Sequence, residues 1–191
     1  MPPATSSPLT LEVAALKCTA MSIRPIITIP DPVLRKAAAP IERVDDAVRR
    51  LADDMLETMY KAPGIGLAAP QIGVSRRLIV IDIASKEDPR PLVMINPEIV
   101  TLGPELHTHE EGCLSIPDVK VEIGRPSTLT VRFIDKDGAP QELAADGLLA
   151  TAVQHEIDHL DGRLIIDFLS RLKRDIIVRR FRKQARTEQA D

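Results

Sequence analysis

The sequence predicts an α+β domain: mostly antiparallel strands packed around a central helix that carries an H-E-x-x-H motif, with a further helix at the C-terminus. Two observations point there. Helical spacing of apolar residues appears early and late in the chain, whereas the middle carries short alternating or β-branched runs joined by turn residues. The regular strand-helix alternation of a parallel sheet is missing. A chain of 191 residues suffices for one domain with a sizeable core and is short for two. With 44% hydrophobic and 28% charged residues it is a folded globular chain, not a disordered or collagen-like one. No Trp, one Tyr and three Phe leave an aliphatic core and argue against a surface that stacks single-stranded bases on aromatic rings, and the formal charge of −3 by itself suggests neither DNA nor membrane as a partner. Two cysteines, Cys18 and Cys113, build no disulfide framework, which makes the cytoplasm the expected compartment.

The elements follow in order. Residues 1–20 hold three prolines and no basic residue before Lys17, so they lack the charged start of a secretory signal and are expected to be a flexible extension, with Met21 a second possible start. No apolar run approaches a membrane span. Val48, Leu51, Met55 and Met59 predict an amphipathic helix over Asp45–Tyr60, with Asp45 or Asp46 as its cap. Pro63, Gly64 and Gly66 then break the helix. Arg77–Ile83 reads as a buried strand, Leu92–Ile95 as another, and Thr128–Ile134 as a third that turns through Asp135–Gly138 into a hairpin. Helical character returns over Asp146–Leu160, and a second long helix is expected over Asp167–Arg186 with Phe168, Leu172, Ile176 and Phe181 as its apolar residues. The body thus spans 21–170, followed by a basic helix or tail at 171–191.

The net charge of −3 hides a strong asymmetry. Between Arg171 and Arg186 eight basic residues face the single acid Asp175, leaving 17 basic against 27 acidic residues elsewhere. An acidic body therefore carries a basic tail. That tail is either a solvated helix face or a docking arm for something anionic.

Gln154-His155-Glu156-Ile157-Asp158-His159 is the most informative stretch. Residues at i and i+4 share one helix face about 6 Å apart along the axis, so His155 and His159 can reach one metal ion while Glu156 stands beside it as a base. A hydrolytic site needs a third protein ligand and an open position for water. No histidine follows His159, and Asp161, Asp167 or Asp175 would have to curl back. Cys113, in Glu111-Gly112-Cys113-Leu114-Ser115, is the better candidate, since a thiolate suits a two-imidazole site. Ligand softness alone favours zinc. The segment Gly64-Ile65-Gly66-Leu67-Ala68-Ala69-Pro70-Gln71 lacks the third glycine and the Lys-Ser/Thr pair of a nucleotide loop. Its bare backbone instead suits a peptide-like ligand, with Gln71 offering an amide donor.

Together, G-x-G-x-A-A-x-Q at Gly64–Gln71, E-G-C-x-S at Glu111–Ser115 and Q-H-E-x-D-H at Gln154–His159 resemble the peptide deformylase family, from about Met21 to the basic tail. The resemblance implies metal ligands Cys113, His155 and His159, general acid/base Glu156, and oxyanion donors from the Gln71 side chain and the Leu114 backbone N–H. It implies a ferrous ion (Fe2+) that Zn2+, Ni2+ or Co2+ can replace, and removal of the N-formyl group from the initiator methionine of new polypeptides. Substrate is expected against Gly64, Ile65, Gly66, Glu111, Gly112, Leu148, Thr151 and Ala152. Thr151, Ala152 and His109 depart from the residue types usual in that family. The basic tail fits docking on the ribosome. A zinc endopeptidase and a metal-binding protein without catalysis are the competing readings; Cys113 as third ligand argues against the first, intact Glu156 and Gln71 against the second.

Overall fold

A computed structural model describes residues 22–84 and 87–188; the expected extension, Cys18 included, lies outside the described residues. In chain order these residues form α1 (Asp46–Lys61), β1 (Gly66–Ala68), β2 (Leu78–Ile81), β3 (Leu92–Leu102), β4 (Leu106–Cys113), β5 (Ile116–Pro126), β6 (Thr128–Ile134), β7 (Pro140–Asp146), α2 (Gly147–Leu160) and α3 (Arg171–Glu188). Every strand pairing is antiparallel. One sheet runs β1-β2-β3-β6-β7, while β4 and β5 pair only with each other. The expected α+β architecture is what forms.

Asp45 caps α1 by accepting from the Val48 backbone N–H at 2.9 Å, which satisfies one of the free donors at the helix start. The helix lays Met55 and Met59, both fully buried, on one face of the five-stranded sheet. Strand β2 shows why its sequence is apolar throughout. Leu78 and Val80 join the α1 cluster, and Ile79 and Ile81 join Val153, Ile157 and Leu160 of α2 on the opposite face. The sheet is therefore sandwiched between α1 and α2. Each buried aliphatic side chain there contributes about 1.5 to 3 kcal/mol, so a charge at Val80 would break the layer between the sheet and α1.

Helix α2 is buried nearly all round. Its sheet side is aliphatic, yet Thr151, Gln154, Glu156, Asp158 and His159 are also buried, facing the β4–β5 hairpin and its surroundings. The hairpin turns through the two residues Leu114 and Ser115, since Cys113 pairs with Ile116. Just beyond, the register shifts by the residues Pro117–Val119, with Asp118 at φ 60. Ile116, Val121 and Ile123 pack against Leu34, Ile165, Ile166 and Phe181, which joins the hairpin to the C-terminal segment.

The expected single helix from Asp167 is two elements. Ile165–Phe168 is a 3-10 turn, held by the Asp167 carboxylate accepting from the Leu164 N–H at 2.9 Å. Leu169 is extended, and α3 starts only at Arg171. The apolar face also differs from the expected one: Leu172 and Ile176 are 70% and 58% exposed, and Phe181 with Ile177 and Val178 covers the core instead. The spacing of four residues misled because Ile177 and Val178 offer a second stripe one position further round the helix.

Candidate metal centre

Cys113 sits at the tip of β4, where the two-residue turn aims its thiol at α2. His155 and His159 lie one helical turn apart, with ring centroids 5.1 Å from each other. Their nearest ligand atoms and the Cys113 Sγ all fall within 4.8 Å of one another, and Sγ approaches His159 Nε2 to 3.2 Å. The Nδ1 edge of His155 meets Glu111 Oε2 at 2.8 Å, which leaves its Nε2 edge for a cation.

The donor set fits a metal ion. One soft thiolate and two imidazoles at this spacing match a three-ligand site with a position left over. In the absence of a cation the two rings differ in charge. Burial presses the His155 imidazole toward neutrality, but its bonds to Cys113 and Glu111 prevail and push its pKa up to about 10. Burial and the neighbouring His155 hold His159 well below the ordinary range. A metal ion takes both rings as neutral ligands, so holding one would require His155 to give up its proton.

Glu156 is 5% exposed, and burial raises its pKa to about 7. Its Oε2 is buried without a hydrogen-bond partner among the described residues, as is Nδ1 of His159. Its Oε1 faces bare backbone, because a Cβ on Gly66 would collide with it. Gln71 is fully buried and oriented by its neighbours: Oε1 accepts from the Ala68 N–H at 2.8 Å. The amide nitrogen therefore faces the centre, donating to Ser115 Oγ at 3.2 Å and lying 3.7 Å from Cys113 Sγ.

A cavity of about 550 Å³ opens beside these groups. It is bordered by Gly64, Ile65, Gly66, Gln71, Glu111, Gly112, Cys113, Leu114, Leu148, Thr151, Ala152, His155 and Glu156, so all the expected site residues except His159 reach one hollow. Ile65 and Leu148 are about half exposed at its mouth, whereas Thr151 and Ala152 are buried in its wall. His109 also lines it, with Nε2 buried and unpartnered among the described residues. Glu111 has a task beyond bordering the cavity. Its Oε1 and Oε2 accept from Arg125 at 2.6 and 3.1 Å while Oε2 also meets His155. Burial pushes the Glu111 pKa up, and those bonds more than reverse it.

Arg125 is the residue that sequence reasoning missed. It is 6% exposed and donates to Glu111 and, at 2.8 Å, to Asp158 of α2. The signal was present: Val119, Val121 and Ile123 alternate inward along β5, and Arg125 is the next inward position. A lone charge on the apolar face of a strand needs a buried partner.

The family model described as polypeptide deformylase matches residues 23–175. The chain belongs to the polypeptide deformylase family. It is 59% identical to a peptide deformylase of Agrobacterium fabrum (strain C58 / ATCC 33970) over 169 residues, covering 88% of this chain and 99% of that one. A crystal structure of peptide deformylase from Ehrlichia chaffeensis in complex with actinonin superposes with a TM-score of 0.82 at 38% identity, covering 86% of this chain and 98% of that one. The Met-Ala-Ser bound class I type b peptide deformylase from Acinetobacter baumannii gives a TM-score of 0.73 at 33% identity, covering 78% and 100%. This deformylase is a metal-dependent hydrolase that acts on formylated nascent peptides, so the endopeptidase and non-catalytic readings give way. Among the described residues no helix is long and apolar enough to cross a membrane.

Proposed function

We propose that Cys113, His155 and His159 hold a ferrous ion, replaceable by zinc, nickel or cobalt, and that Glu156, Gln71 and Leu114 carry out removal of the formyl group from N-terminal methionine. The convergence of three ligand atoms within 4.8 Å beside a buried, unpartnered carboxylate supports this reading most directly. When bound, the cation supplies an acidified water and a Lewis acid for the formyl carbonyl.

The protein groups divide the remaining work. Glu156 accepts the proton of the attacking water and later returns it to the leaving amine, a double role suited to a carboxyl whose pKa burial has raised to about 7. The Gln71 amide and the Leu114 N–H donate to the oxygen that gains charge as water attacks. Gln71 is pre-aligned because its carbonyl is already held by Ala68. Gly64, Ile65, Gly66 and Gly112 offer the substrate backbone a surface free of large side chains. Leu148, Thr151 and Ala152 accept the methionine side chain, and Glu111 borders the same hollow while fixing His155. The tripeptide held by the Acinetobacter relative supports a short peptide as occupant.

The basic helix α3, with Lys173, Arg179, Arg180, Arg182, Lys183 and Arg186 exposed, docks the enzyme on ribosomal RNA in the cytoplasm. The reading is tested by anaerobic loading with Fe2+ and an assay of formate release from formyl-Met-Ala, with casein as control. Formate with intact casein is expected; a fully loaded protein that releases none sinks the assignment.

A further inference from the structure

Phe168 lies outside the cavity, yet its ring touches the support of the metal centre. The Cζ atoms of Arg125 and Arg163 stand over it at 5.1 and 5.2 Å from its centroid. Two cations sharing one ring would repel each other, and Asp158 is placed to offset this: Oδ2 accepts from Arg125 at 2.8 Å and Oδ1 faces Arg163 at 3.3 Å. Asp158, Arg125, Phe168 and Arg163 thus close a loop. Arg125 spends its donor edge on Glu111 and Asp158, so its flat face is all that remains to be held. Phe168 holds it. Glu111 in turn fixes Nδ1 of His155.

We propose that Phe168 is a positioning residue of the deformylase centre, acting through Arg125 and Glu111 on the orientation of His155. The 3-10 turn before α3 delivers it: Ile165 and Ile166 are buried against β5, and Phe168, 40% exposed, closes the turn over the guanidinium. Without the ring, water reaches the Arg125 face, its hold on Glu111 loosens, and the imidazole gains freedom. An aliphatic side chain fills the space but lacks the negative ring face.

The inference rests on the proposed ligand role of His155, and the experiment separates the two. Full-length Phe168→Ala, Phe168→Leu and Phe168→Tyr are loaded with Co2+ and compared with wild type for the visible Co2+ spectrum, the rate of Co2+ loss to a chelator, and kcat and KM for formyl-Met-Ala. Phe181→Ala, which loosens α3 elsewhere, serves as the packing control. Expected are Co2+ loss faster by about 3- to 10-fold in Phe168→Ala and Phe168→Leu, an altered spectrum, and a lower kcat at unchanged KM. Phe168→Tyr should behave as wild type, and Phe181→Ala should lose thermal stability without a change in spectrum. Wild-type spectrum and Co2+ retention in Phe168→Ala, or in Phe168→Leu, overturn the proposal. So does a Phe181→Ala variant with the same Co2+ loss. If wild type binds no Co2+ that Cys113→Ala loses, the ligand assignment falls, and this inference with it.

Discussion

Gly66 and Glu156 occupy what would be one space: a side chain of even one carbon at position 66 would strike the Glu156 carboxylate. Strand β1 thereby sets where the buried acid stands. Gly66→Ala is expected to displace the carboxylate and lower kcat by about 10²- to 10⁴-fold, the range a misplaced general base costs, with metal content unchanged. Glu156→Ala should match it. A Gly66→Ala enzyme with wild-type turnover would contradict the acid/base role.

Cys113 is the proposed ligand from the hairpin, and no other cysteine lies among the described residues. Cys113→Ala should lose both bound metal and formate release, measured as metal per chain after anaerobic loading and gel filtration. Retention of one equivalent would show that the thiol is dispensable.

Gln71→Ala removes the aligned amide donor and leaves the three proposed metal ligands in place. A lost oxyanion donor costs about 2.7 to 4 kcal/mol of transition-state stabilisation, so kcat should fall about 10²- to 10³-fold with metal content intact. Single-turnover kinetics on formyl-Met-Ala give the number; a change confined to KM would assign Gln71 to binding alone.

Tyr60, the only tyrosine in the chain, donates its hydroxyl to Asp82 Oδ2 at 2.6 Å. Burial and that carboxylate raise its pKa from 10 to about 12. For Asp82, burial acts upward, and the bond from Tyr60 with those from the Ala84 and Arg90 N–H groups brings its pKa below the ordinary value. The folded state binds the Tyr60 proton more tightly, so the pair's contribution is complete below pH 10 and disappears as pH climbs toward about 12. Asp82's share is lost at the acid end, as pH falls through its lowered pKa. Tyrosinate absorbance should rise with a midpoint near 12 in wild type and at a lower pH in Asp82→Asn.

For α3, truncation after Leu169 would strip Phe181 and Val178 from the core as well as removing charge. Replacing exposed Arg179, Lys183 and Arg186 with Gln isolates the charge. Cosedimentation with ribosomes should weaken, and its dependence on salt should become shallower by about two to three units of slope in a log-log plot. Binding that is unchanged and insensitive to salt would reject the docking arm.

Much of this was legible in advance because the centre is built from short, local patterns. The i, i+4 histidines need only a helix to converge, and the β-branched run at Leu78–Ile81 declares a strand buried on both faces. Strand β4 was not legible. Leu106–Cys113 is nearly all polar or small and is held by its pairing with β5, so no alternation marks it. The break between Phe168 and Arg171 was hidden for the opposite reason. Its residues are acceptable in a helix, and the break lies at Leu169, whose backbone is extended between the 3-10 turn and the start of α3. Arg125 needed a tertiary partner to have a meaning at all.

The hairpin β4–β5 shares no backbone ladder with the five-stranded sheet. A cation gripped by Cys113 on one side and α2 on the other would therefore act as a rivet between two separately laddered pieces. Stripping it should show first as faster amide exchange along Leu106–Pro126, while the strands sandwiched by α1 and α2 stay protected.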